Sequence, residues 1–438
     1  MTRKNYRLVF LVLMVFAILA LNAQQRFPKP EFESGYEQPD TTTPEPRAGG
    51  MEVFDVIVLF GVMALATWLI IKKRSRRGVL WLSVFTLLYF GFYRNGCICP
   101  IGSIQNVTLA LFDPGYKISI TVLLFFLLPL VFALFYGRTF CAAACPLGAI
   151  QDLVVIKPIS VSSWVRKTLS FIPHIYIGLA ILFAATGTDF IICRYDPFVG
   201  IFRTDGPYLM IGLGIAFLVL GMFFARPYCR VFCPYSVLLG FMSHFSKKHI
   251  TITPAECINC KLCANSCPFD AIEAPIDEKV RTESTIRKNL RNYVIFGLLV
   301  PVWIFAGGFA VSGAHVFLSK AHPDVYLSEL LIAKPELRED TENLDIQAFL
   351  ESGKSMDQLV EEASVIRAKF KTGGWYLGGY LGLVLGIMIM NQFVLRKRKD
   401  YIPHKRDCFS CGRCMDYCPV ARQEEGIQPE KIRSNAVK

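Results

Sequence analysis

Seven apolar stretches constrain the fold of this chain more than any other feature, because each is long enough to cross a hydrocarbon core of about 30 Å. They lie at residues 52–71, 78–94, 118–136, 171–192, 208–225, 292–312 and 375–395. The second stretch is short and ends in Tyr93 and Arg94. Apolar residues make up 53% of the 438 positions, which favours a mainly α-helical, polytopic transmembrane bundle over soluble domains.

The N-terminus has the layout of an export signal. A basic start, an apolar run and a small-residue ending at Ala23 favour a signal peptide over residues 1–23, with an uncleaved signal anchor as the alternative. Residues 24–50 are rich in Pro, Thr and Glu and show no apolar pattern. We therefore expect an extracytoplasmic linker before the first apolar stretch.

Lys and Arg residues cluster between the apolar stretches and predict the orientation of the chain. The basic segments occupy residues 72–77, 162–167, 243–249 and 396–406. All four fall on one face if the linker is outside, and the positive-inside rule makes that face cytoplasmic. The net charge of +12 therefore follows from membrane topology, and nucleic-acid binding is not predicted. We expect a multi-pass protein of the bacterial cytoplasmic (inner) membrane.

This topology divides the chain into segments. Residues 313–372 are acidic, fall outside and show helical periodicity around Leu350, Leu359, Val360 and Ile366, which predicts a small helical extracytoplasmic insert. The other predicted segments are a transmembrane core at 51–246, a first ferredoxin half at 247–276, transmembrane helices at 290–312 and 373–395, and a second ferredoxin half at 399–429.

Two segments share one cysteine spacing, "CINCKLCANSCP" at 257–268 and "CFSCGRCMDYCP" at 408–419. Both have the pattern C-x2-C-x2-C-x3-C-P, which is typical of bacterial ferredoxins with [4Fe–4S] clusters. Zinc is the alternative, but it prefers two separated Cys-x2-Cys hooks. The pattern predicts a small cytoplasmic α+β ferredoxin module. Its two [4Fe–4S] clusters would bind through Cys257, Cys260, Cys263, Cys267, Cys408, Cys411, Cys414 and Cys418.

Two apolar stretches separate the ferredoxin halves, so both halves return to the cytoplasmic face and can meet. In this pattern the fourth cysteine usually ligates the other cluster. We therefore expect the halves to exchange their fourth ligands, with self-contained sites as the alternative. The expected sets are Cys257, Cys260 and Cys263 with Cys418, and Cys408, Cys411 and Cys414 with Cys267.

Two further pairs, "CAAACP" at 141–146 and "CRVFCP" at 229–234, follow apolar stretches on the predicted cytoplasmic side. Pro146 and Pro234 suit the first position of a helix, where the helix N-terminus favours thiolate charge. Inert buried thiols are the alternative. Positive charge nearby comes from Arg138, Arg226 and Arg230. The matched motifs predict a third iron–sulfur cluster at the cytoplasmic membrane face, held by Cys141, Cys145, Cys229 and Cys233.

Paired Cys-x3-Cys-Pro motifs at membrane helix ends, followed by ferredoxin motifs, resemble the NapH/NosR group of membrane polyferredoxins. The resemblance covers roughly residues 118–270 and the last ferredoxin motif. It implies that electrons pass between the quinone pool or cytoplasm and periplasmic reductases, including those of nitrate and nitrous oxide respiration, and that the cysteines of these motifs ligate the clusters.

NosR carries a flavin-binding periplasmic domain before its spans, for which residues 24–50 are too short. A membrane hairpin also splits the ferredoxin motifs here, so the resemblance implies a related branch with a different partner.

The phrase C-P-[IL]-G-[SA]-I-Q-[ND] occurs twice, at 99–106 and 145–152. One apolar stretch lies between the copies, which predicts an inverted repeat with its halves on opposite membrane faces. Because a bilayer core of about 30 Å is too thick for one cofactor to bridge, we expect a second station outside. The candidate is an outer iron–sulfur cluster on Cys97, Cys99 and Cys193, with its fourth ligand unidentified. The alternatives are a disulfide with one thiol left over or three unrelated buried thiols.

These motifs predict an electron-transfer subunit of an oxidoreductase system rather than a stand-alone enzyme, and no catalytic residue is identified. We expect electrons to pass across the lipid bilayer between a cytoplasmic or quinol donor and an extracytoplasmic reductase or flavoprotein. Redox partner proteins would then dock on both faces, and quinone could approach His174. The alternatives are a maturation factor that reduces a metal for another metalloenzyme, and a non-redox membrane scaffold.

Overall fold

A computed structural model describes residues 49–96, 99–204, 206–252, 257–275, 283–339, 343–392 and 400–420. The predicted signal peptide, nearly all of the linker and Cys97 lie outside these residues. The described chain is mainly helical, which confirms the predicted fold class at that level.

The first part of the membrane core alternates α-helices with two π-helical segments. Its elements are α1 Gly49–Ile71, α2 Arg76–Thr86, the π-helical Leu87–Tyr93, α3 Pro100–Phe112, α4 Ile120–Tyr136, the π-helical Phe140–Ala144 and α5 Pro146–Val154. The Ser75 hydroxyl caps α2 by accepting a hydrogen bond from the Gly78 amide at 3.3 Å. The stretch predicted at 78–94 is therefore α2 continued by a π-helical segment rather than one regular helix.

The second part of the core consists of two apolar helices of 14 residues and several shorter ones. Its elements are α6 Ser163–Leu169, α7 Ile172–Ala185, α8 Ile191–Arg194, α9 Val199–Arg203, α10 Tyr208–Gly221, α11 Pro227–Val231 and α12 Tyr235–His244. The stretch predicted at 171–192 is helical only to Ala185, because the chain then turns through Gly187, whose φ of +71° suits glycine. Short helices α8 and α11 carry Cys193 and Cys229.

Four helices among the described residues are long and apolar enough to cross a membrane. They are Gly50–Ile71, Trp164–Ala185, which combines α6 and α7, Arg291–Gly313 and Met356–Gln392. The shorter apolar helices α4 and α10 coincide with two further predicted stretches. A membrane protein is therefore supported, while the predicted count of seven spans stays a prediction.

A hairpin of two long helices, α14 Glu283–Gly313 and α18 Met356–Gln392, separates the ferredoxin halves. The helices pack through glycines: a Cβ on Gly378 would overlap the Gly307 carbonyl, and one on Gly382 would overlap the Trp303 carbonyl. Small residues at such an interface let two membrane helices approach closely. The close packing therefore fixes the hairpin that carries the second ferredoxin half.

The segment between these helices is also helical. It comprises α15 His315–Ser319, α16 Pro323–Ala333, the 3-10 helix Pro335–Glu339 and α17 Leu344–Glu351, and its small core contains Leu327, Leu331, Ile346 and Leu359. Two residues of the predicted apolar pattern, Leu350 and Val360, are 46% and 40% exposed. Helix α18 runs unbroken for 37 residues, about 55 Å, so the predicted boundary at residue 373 falls inside one continuous helix.

The ferredoxin halves meet in one small module. Its elements are α13 Leu262–Ser266, β1 Ile272–Glu273, β2 Ile402–Pro403 and α19 Arg413–Tyr417. The two strands pair antiparallel with Ile272 opposite Pro403. The rings of Phe269 and Phe409, one from each half, lie 4.8 Å apart between centroids.

The predicted basic segments lie around this module. Their hydrogen bonds join Arg74 to the Ile252 carbonyl (2.6 Å), Arg166 to the Asp270 carbonyl (2.9 Å) and Lys405 to the Ser246 carbonyl (2.7 Å). The positive charge and the ferredoxin module therefore share one end of the molecule.

Candidate iron–sulfur sites

The cysteines of the two ferredoxin halves are interleaved. Cys257, Cys260, Cys263 and Cys418, which we name the distal quartet, line one cavity. Cys260 is exposed, whereas Cys263 and Cys418 are buried. The last cysteine of the second motif thus lies with the first three of the first motif, which is the exchanged arrangement expected from the sequence.

The other four ferredoxin cysteines, Cys267, Cys408, Cys411 and Cys414, form the middle quartet. The Cys414 thiol interacts electrostatically with all three of its companions. Burial raises the pKa of Cys408 to about 12 and that of Cys263, in the distal quartet, to about 11. These thiols are therefore protonated near neutral pH until iron displaces their protons.

The two cysteine loops of the ferredoxin module share the same backbone conformation at two positions. Residues in the left-handed region stand at matching positions, Asn259 (φ +53°) with Ser410 (φ +53°), and Lys261 (φ +62°) with Gly412 (φ +78°). Such residues turn the chain sharply, and glycine adopts this conformation at the lowest cost. The tight turns hold the first three thiols of each motif around one cavity.

The two Cys-x3-Cys-Pro motifs also meet. Cys141, Cys145, Cys229 and Cys233, which we name the membrane quartet, line a third cavity. Cys145 caps α5 and Pro146 occupies its first position, as predicted, while Pro234 immediately precedes α12. The positive end of the α5 dipole, with its free N–H groups, therefore faces the cavity and favours thiolate charge there. Among the described residues, no three side chains of His, Cys, Asp or Glu are grouped compactly enough for a single metal ion.

Arg226 and Asp152 form a buried ion pair behind the membrane quartet. The Arg226 Nε and Nη2 donate to the two carboxylate oxygens at 3.0 and 2.9 Å, and Nη1 donates to the Cys141 carbonyl. Although burial raises the pKa of Asp152, the guanidinium groups of Arg226 and Arg76 hold it well below its usual range. Arg226 has φ of +53° directly before a proline, a conformation that is rare outside glycine. This strained residue joins the Cys141 loop to the segment that bears Cys229.

Gln151 makes the second link between these segments. Its Nε2 donates to the Cys229 Sγ at 3.3 Å, and its Oε1 accepts from the Tyr228 amide at 3.1 Å. Gln151 therefore positions Cys229 and places a hydrogen-bond donor on its sulfur.

Aromatic and cationic side chains fill the space between the middle and membrane quartets. The Arg138 guanidinium carbon lies 4.2 Å from the centre of the Phe409 ring, and its Nη2 lies 3.7 Å from the Cys141 Sγ. Arg226 interacts electrostatically with Cys229 of one quartet and Cys411 of the other. The two quartets therefore adjoin each other across this layer.

The other copy of the Cys-Pro phrase lies beside the membrane quartet. Cys99 caps α3 just as Cys145 caps α5. The Cys99 and Cys145 thiols interact electrostatically, and Ile101 lines the same cavity as Cys145. The two helix N-termini therefore converge, whereas the sequence predicted the two copies on opposite membrane faces.

Helices α3 and α5 lead away from this point in opposite directions. After α3 the chain reaches Thr121, which donates to Glu52 at the start of α1 at 2.9 Å. Near the end of α5, Asp152 forms an ion pair with Arg76 at 3.4 Å. Arg76 Nη1 in turn donates to the Cys411 carbonyl of the ferredoxin module at 2.9 Å. Helices α3 and α5 thus begin close together and end near opposite ends of α1.

The remaining predicted site residues are less fully defined. Cys193 lies in α8 and interacts electrostatically with Cys99, and neither forms a disulfide with a described residue. Cys97 lies outside the described residues. His174 has both ring nitrogens engaged, Nδ1 3.0 Å from the Ser170 carbonyl and Nε2 3.0 Å from Arg406 Nη2. These contacts hold the ring in place, and quinone approach to His174 stays a prediction.

Sequence reasoning missed several residues that shape these sites. Gln151 and Asp152 stand inside the repeated phrase, so their position was a usable signal, although their partners were not visible. Phe269 and Phe409 simply neighbour motif cysteines, and nothing in the sequence marks them as the layer between two sites.

Comparison with known proteins supports iron–sulfur binding. Two families of 4Fe–4S binding domains match, one at residues 118–169 and 206–253 and the other at residues 250–273. Regulatory protein NosR of Stutzerimonas stutzeri is 27% identical over 46% of this chain. The chain resembles the NosR type of membrane polyferredoxin. The resemblance predicted from the motifs is therefore confirmed, and the chain is related to iron–sulfur electron-transport proteins.

Two further relatives match a similar share of this chain. The putative electron transport protein YccM of Escherichia coli is 23% identical over 42% of this chain and 56% of its own length. The uncharacterized protein MJ0750 of Methanocaldococcus jannaschii is 28% identical over 46% of this chain and 84% of its own length. The match spans only 29% of NosR. No solved structure matches this chain.

Proposed function

We propose that the protein is a membrane-bound electron relay in which the distal, middle and membrane quartets each hold one [4Fe–4S] cluster. The observation that carries this proposal is the continuity of the three quartets. Helices α13 and α19, which bear Cys263 of the distal quartet and Cys414 of the middle quartet, pack against each other, and Cys411 of the middle quartet shares one buried cluster with Cys229 of the membrane quartet. Because electron transfer falls steeply with distance, adjoining quartets favour transfer along the line.

A bound [4Fe–4S] cluster accepts and releases one electron, and the protein sets its potential. Around the membrane quartet, Gln151 donates to Cys229 and the Arg138 guanidinium approaches Cys141. Hydrogen bonds to the sulfurs and nearby positive charge stabilise the more negative, reduced state. These side chains should therefore raise the potential of this cluster and draw electrons into the membrane.

The exposure of the quartets supports an entry point and a direction. Cys260 of the distal quartet is exposed, whereas the other eleven cysteines of the three quartets are buried or half-buried. The distal cluster would be the docking point for a soluble donor, and the membrane cluster would pass electrons outward. The acceptor would be an extracytoplasmic reductase or flavoprotein.

The basic segments around the ferredoxin module support its placement in the cytoplasm under the positive-inside rule. In this orientation the insert between α14 and α18 lies outside and is available to an extracytoplasmic partner. Thiol labelling of the exposed Cys260 in cluster-free protein tests the orientation. Modification should require opened or inside-out membranes, and labelling from outside intact cells would reverse the assignment.

Cluster number is tested by iron and acid-labile sulfide per chain, with EPR spectra of the reduced protein purified without oxygen. Cys145→Ser should remove about four irons per chain and one EPR component. Glu362→Gln, which alters only an exposed ion pair with Lys354, is the control and should keep all iron. About eight irons in the wild type, unchanged by Cys145→Ser, would show that the membrane quartet holds no cluster.

Electron relay is tested in sealed vesicles that enclose an electron acceptor and receive a reduced dye outside. Wild-type protein should reduce the enclosed acceptor, and Cys145→Ser should fall to the rate of protein-free vesicles. Equal rates in the two proteins would contradict a path through the membrane quartet even if the cluster is present.

A further inference from the structure

The inverted repeat includes a second pair of segments. Just as α5 packs against the segment with Cys229, α3 packs against the segment with Cys193. Gln151 accepts a hydrogen bond from the amide that precedes Cys229, at 3.1 Å. Gln105, at the matching position of the other copy, accepts from the amide that precedes Cys193, at 3.0 Å. The same glutamine therefore sets the same register in both halves.

Cys193 lies directly against the helix that Cys99 caps. A Cβ added to Gly102, in the first turn of α3, would come within 2.9 Å of the Cys193 Sγ. Only glycine leaves room for this sulfur. The repeated phrase keeps glycine at this position in both copies, as Gly102 and Gly148. The thiols of Cys99 and Cys193 are thus brought to one helix N-terminus.

The residues after Cys193 supply a third donor. The membrane quartet segment is "CRVFCPY" at 229–235, and its counterpart is "CRYDPF" at 193–198, one residue shorter. Aligned on the proline, Asp196 takes the place of Cys233. Asp196 is 4% exposed, and its charge acts on the Cys99 thiol together with that of Cys193.

The carboxylate of Asp196 is held in a fixed orientation. Its Oδ1 accepts hydrogen bonds from the amides of Phe198 and Val199 at 2.8 and 3.3 Å. Both bonds use the same oxygen, so ligation through Oδ2 would leave this cap of α9 intact. An aspartate with this geometry is a preorganised oxygen ligand.

We propose that Cys99, Cys193 and Asp196 ligate a fourth iron–sulfur cluster, in which Asp196 supplies an oxygen where the membrane quartet has the sulfur of Cys233. The assignment rests on the proposed function, because this cluster would be the next station after the membrane quartet. Cys97 lies outside the described residues and is not one of the three proposed ligands.

An oxygen ligand gives this cluster a distinctive chemistry. Carboxylate is a harder donor than thiolate and binds cluster iron less firmly. The iron at Asp196 should therefore leave first on oxidation, when [4Fe–4S]2+ becomes [3Fe–4S]+ and releases Fe2+ and one electron to the oxidant. Ferricyanide can serve as that oxidant in an assay, and added Fe2+ with a reductant reverses the change.

The test uses the full-length protein, purified without oxygen, with Asp196→Ala and Asp196→Cys. Asp196→Ala should lose the iron that Asp196 would bind, about one iron per chain, and show the three-iron EPR signal without ferricyanide. Asp196→Cys should keep that iron but lose the three-iron EPR signal that ferricyanide produces in the wild type. Asp189→Asn, in the same segment and paired with the exposed Arg194 at 2.9 Å, is the control and should match the wild type.

Two results would overturn the assignment. One is full iron and an unchanged three-iron signal in both Asp196 variants, and the other is a Cys99–Cys193 disulfide found by mass spectrometry of the alkylated wild type. Cys145→Ser separates this failure from failure of the proposed function, because its loss of iron reports on the membrane quartet alone. If Asp196→Ala does not fold, Asp196→Cys still tests the assignment through its three-iron signal.

Discussion

Each quartet of the ferredoxin module, like the membrane quartet, draws its four cysteines from two segments, yet the module and the membrane quartet fix them by different means. In the module, left-handed residues at matching loop positions turn each motif around its cavity, and a two-residue strand pair joins the halves. In the membrane quartet, helix ends supply the thiols, and the buried Arg226–Asp152 pair holds those ends together. Local backbone geometry fixes one kind of site, and long-range packing with a buried charge fixes the other.

This difference predicts different sensitivities. Loops that carry their own geometry should keep their clusters when the surrounding bundle is perturbed. A site assembled from distant helix ends should lose its cluster when a single linking side chain is removed. Variants that separate these two responses test the comparison directly.

The largest effect is expected from Asp152→Asn. Removing one partner of a buried ion pair costs about 3–5 kcal/mol, because Arg226 keeps an uncompensated buried charge. The membrane quartet should lose about four irons per chain and its EPR component, while the distal and middle signals persist. Iron analysis and EPR measure this outcome. Equal loss from all three quartets would show that the module depends on the bundle as strongly as the membrane site does.

An intermediate effect is expected from Gln151→Leu, which removes the hydrogen bond to the Cys229 sulfur. One such bond contributes about 0.5–1.5 kcal/mol, so the midpoint potential of the membrane cluster should fall by roughly 20–60 mV. A redox titration followed by EPR measures the shift. Gln105→Leu, the matching change in the other half of the repeat, is the control, and an equal shift in that variant would assign the effect to packing.

The smallest effect is expected from Lys261→Gly, which gives the distal loop the glycine that Gly412 provides in the other loop. Relief of the left-handed strain should stabilise the loop by about 0.5–1 kcal/mol. Thermal bleaching of the cluster absorbance should then shift to a slightly higher temperature. Gly412→Lys should shift it downward, and a change in the same direction for both variants would contradict the shared loop geometry.

The sequence predicted the features that depend on local patterns. Cysteine spacing identified the motif cysteines that line the cavities, because three ligands on one turn leave a fixed spacing in the chain. Apolar length located the long helices for the same reason. The break after Ala185 and the π-helical segment at Leu87–Tyr93 were missed, because hydropathy does not distinguish an α-helix from a π-helix or from an apolar turn.

The convergence of Cys99 and Cys145 could not be predicted in this way. Each apolar stretch was counted as a full crossing, and α3 at Pro100–Phe112 belonged to none of them. A half-helix that starts inside the bundle is too short and too polar in its first turn to register as a span. Its partners, such as Gln105 with Ile192, lie 87 positions apart, beyond any local pattern.

The interleaving of the ferredoxin cysteines has a consequence for biosynthesis. Cys418 completes the distal quartet, and Cys408, Cys411 and Cys414 supply most of the middle quartet, so neither set of four exists until α14 and α18 have been translated. In the proposed topology, a chain whose last helix fails to cross the bilayer would leave its two ferredoxin halves on opposite sides, and neither quartet would form. Cluster binding by the module, as proposed, would therefore require correct membrane insertion of both helices.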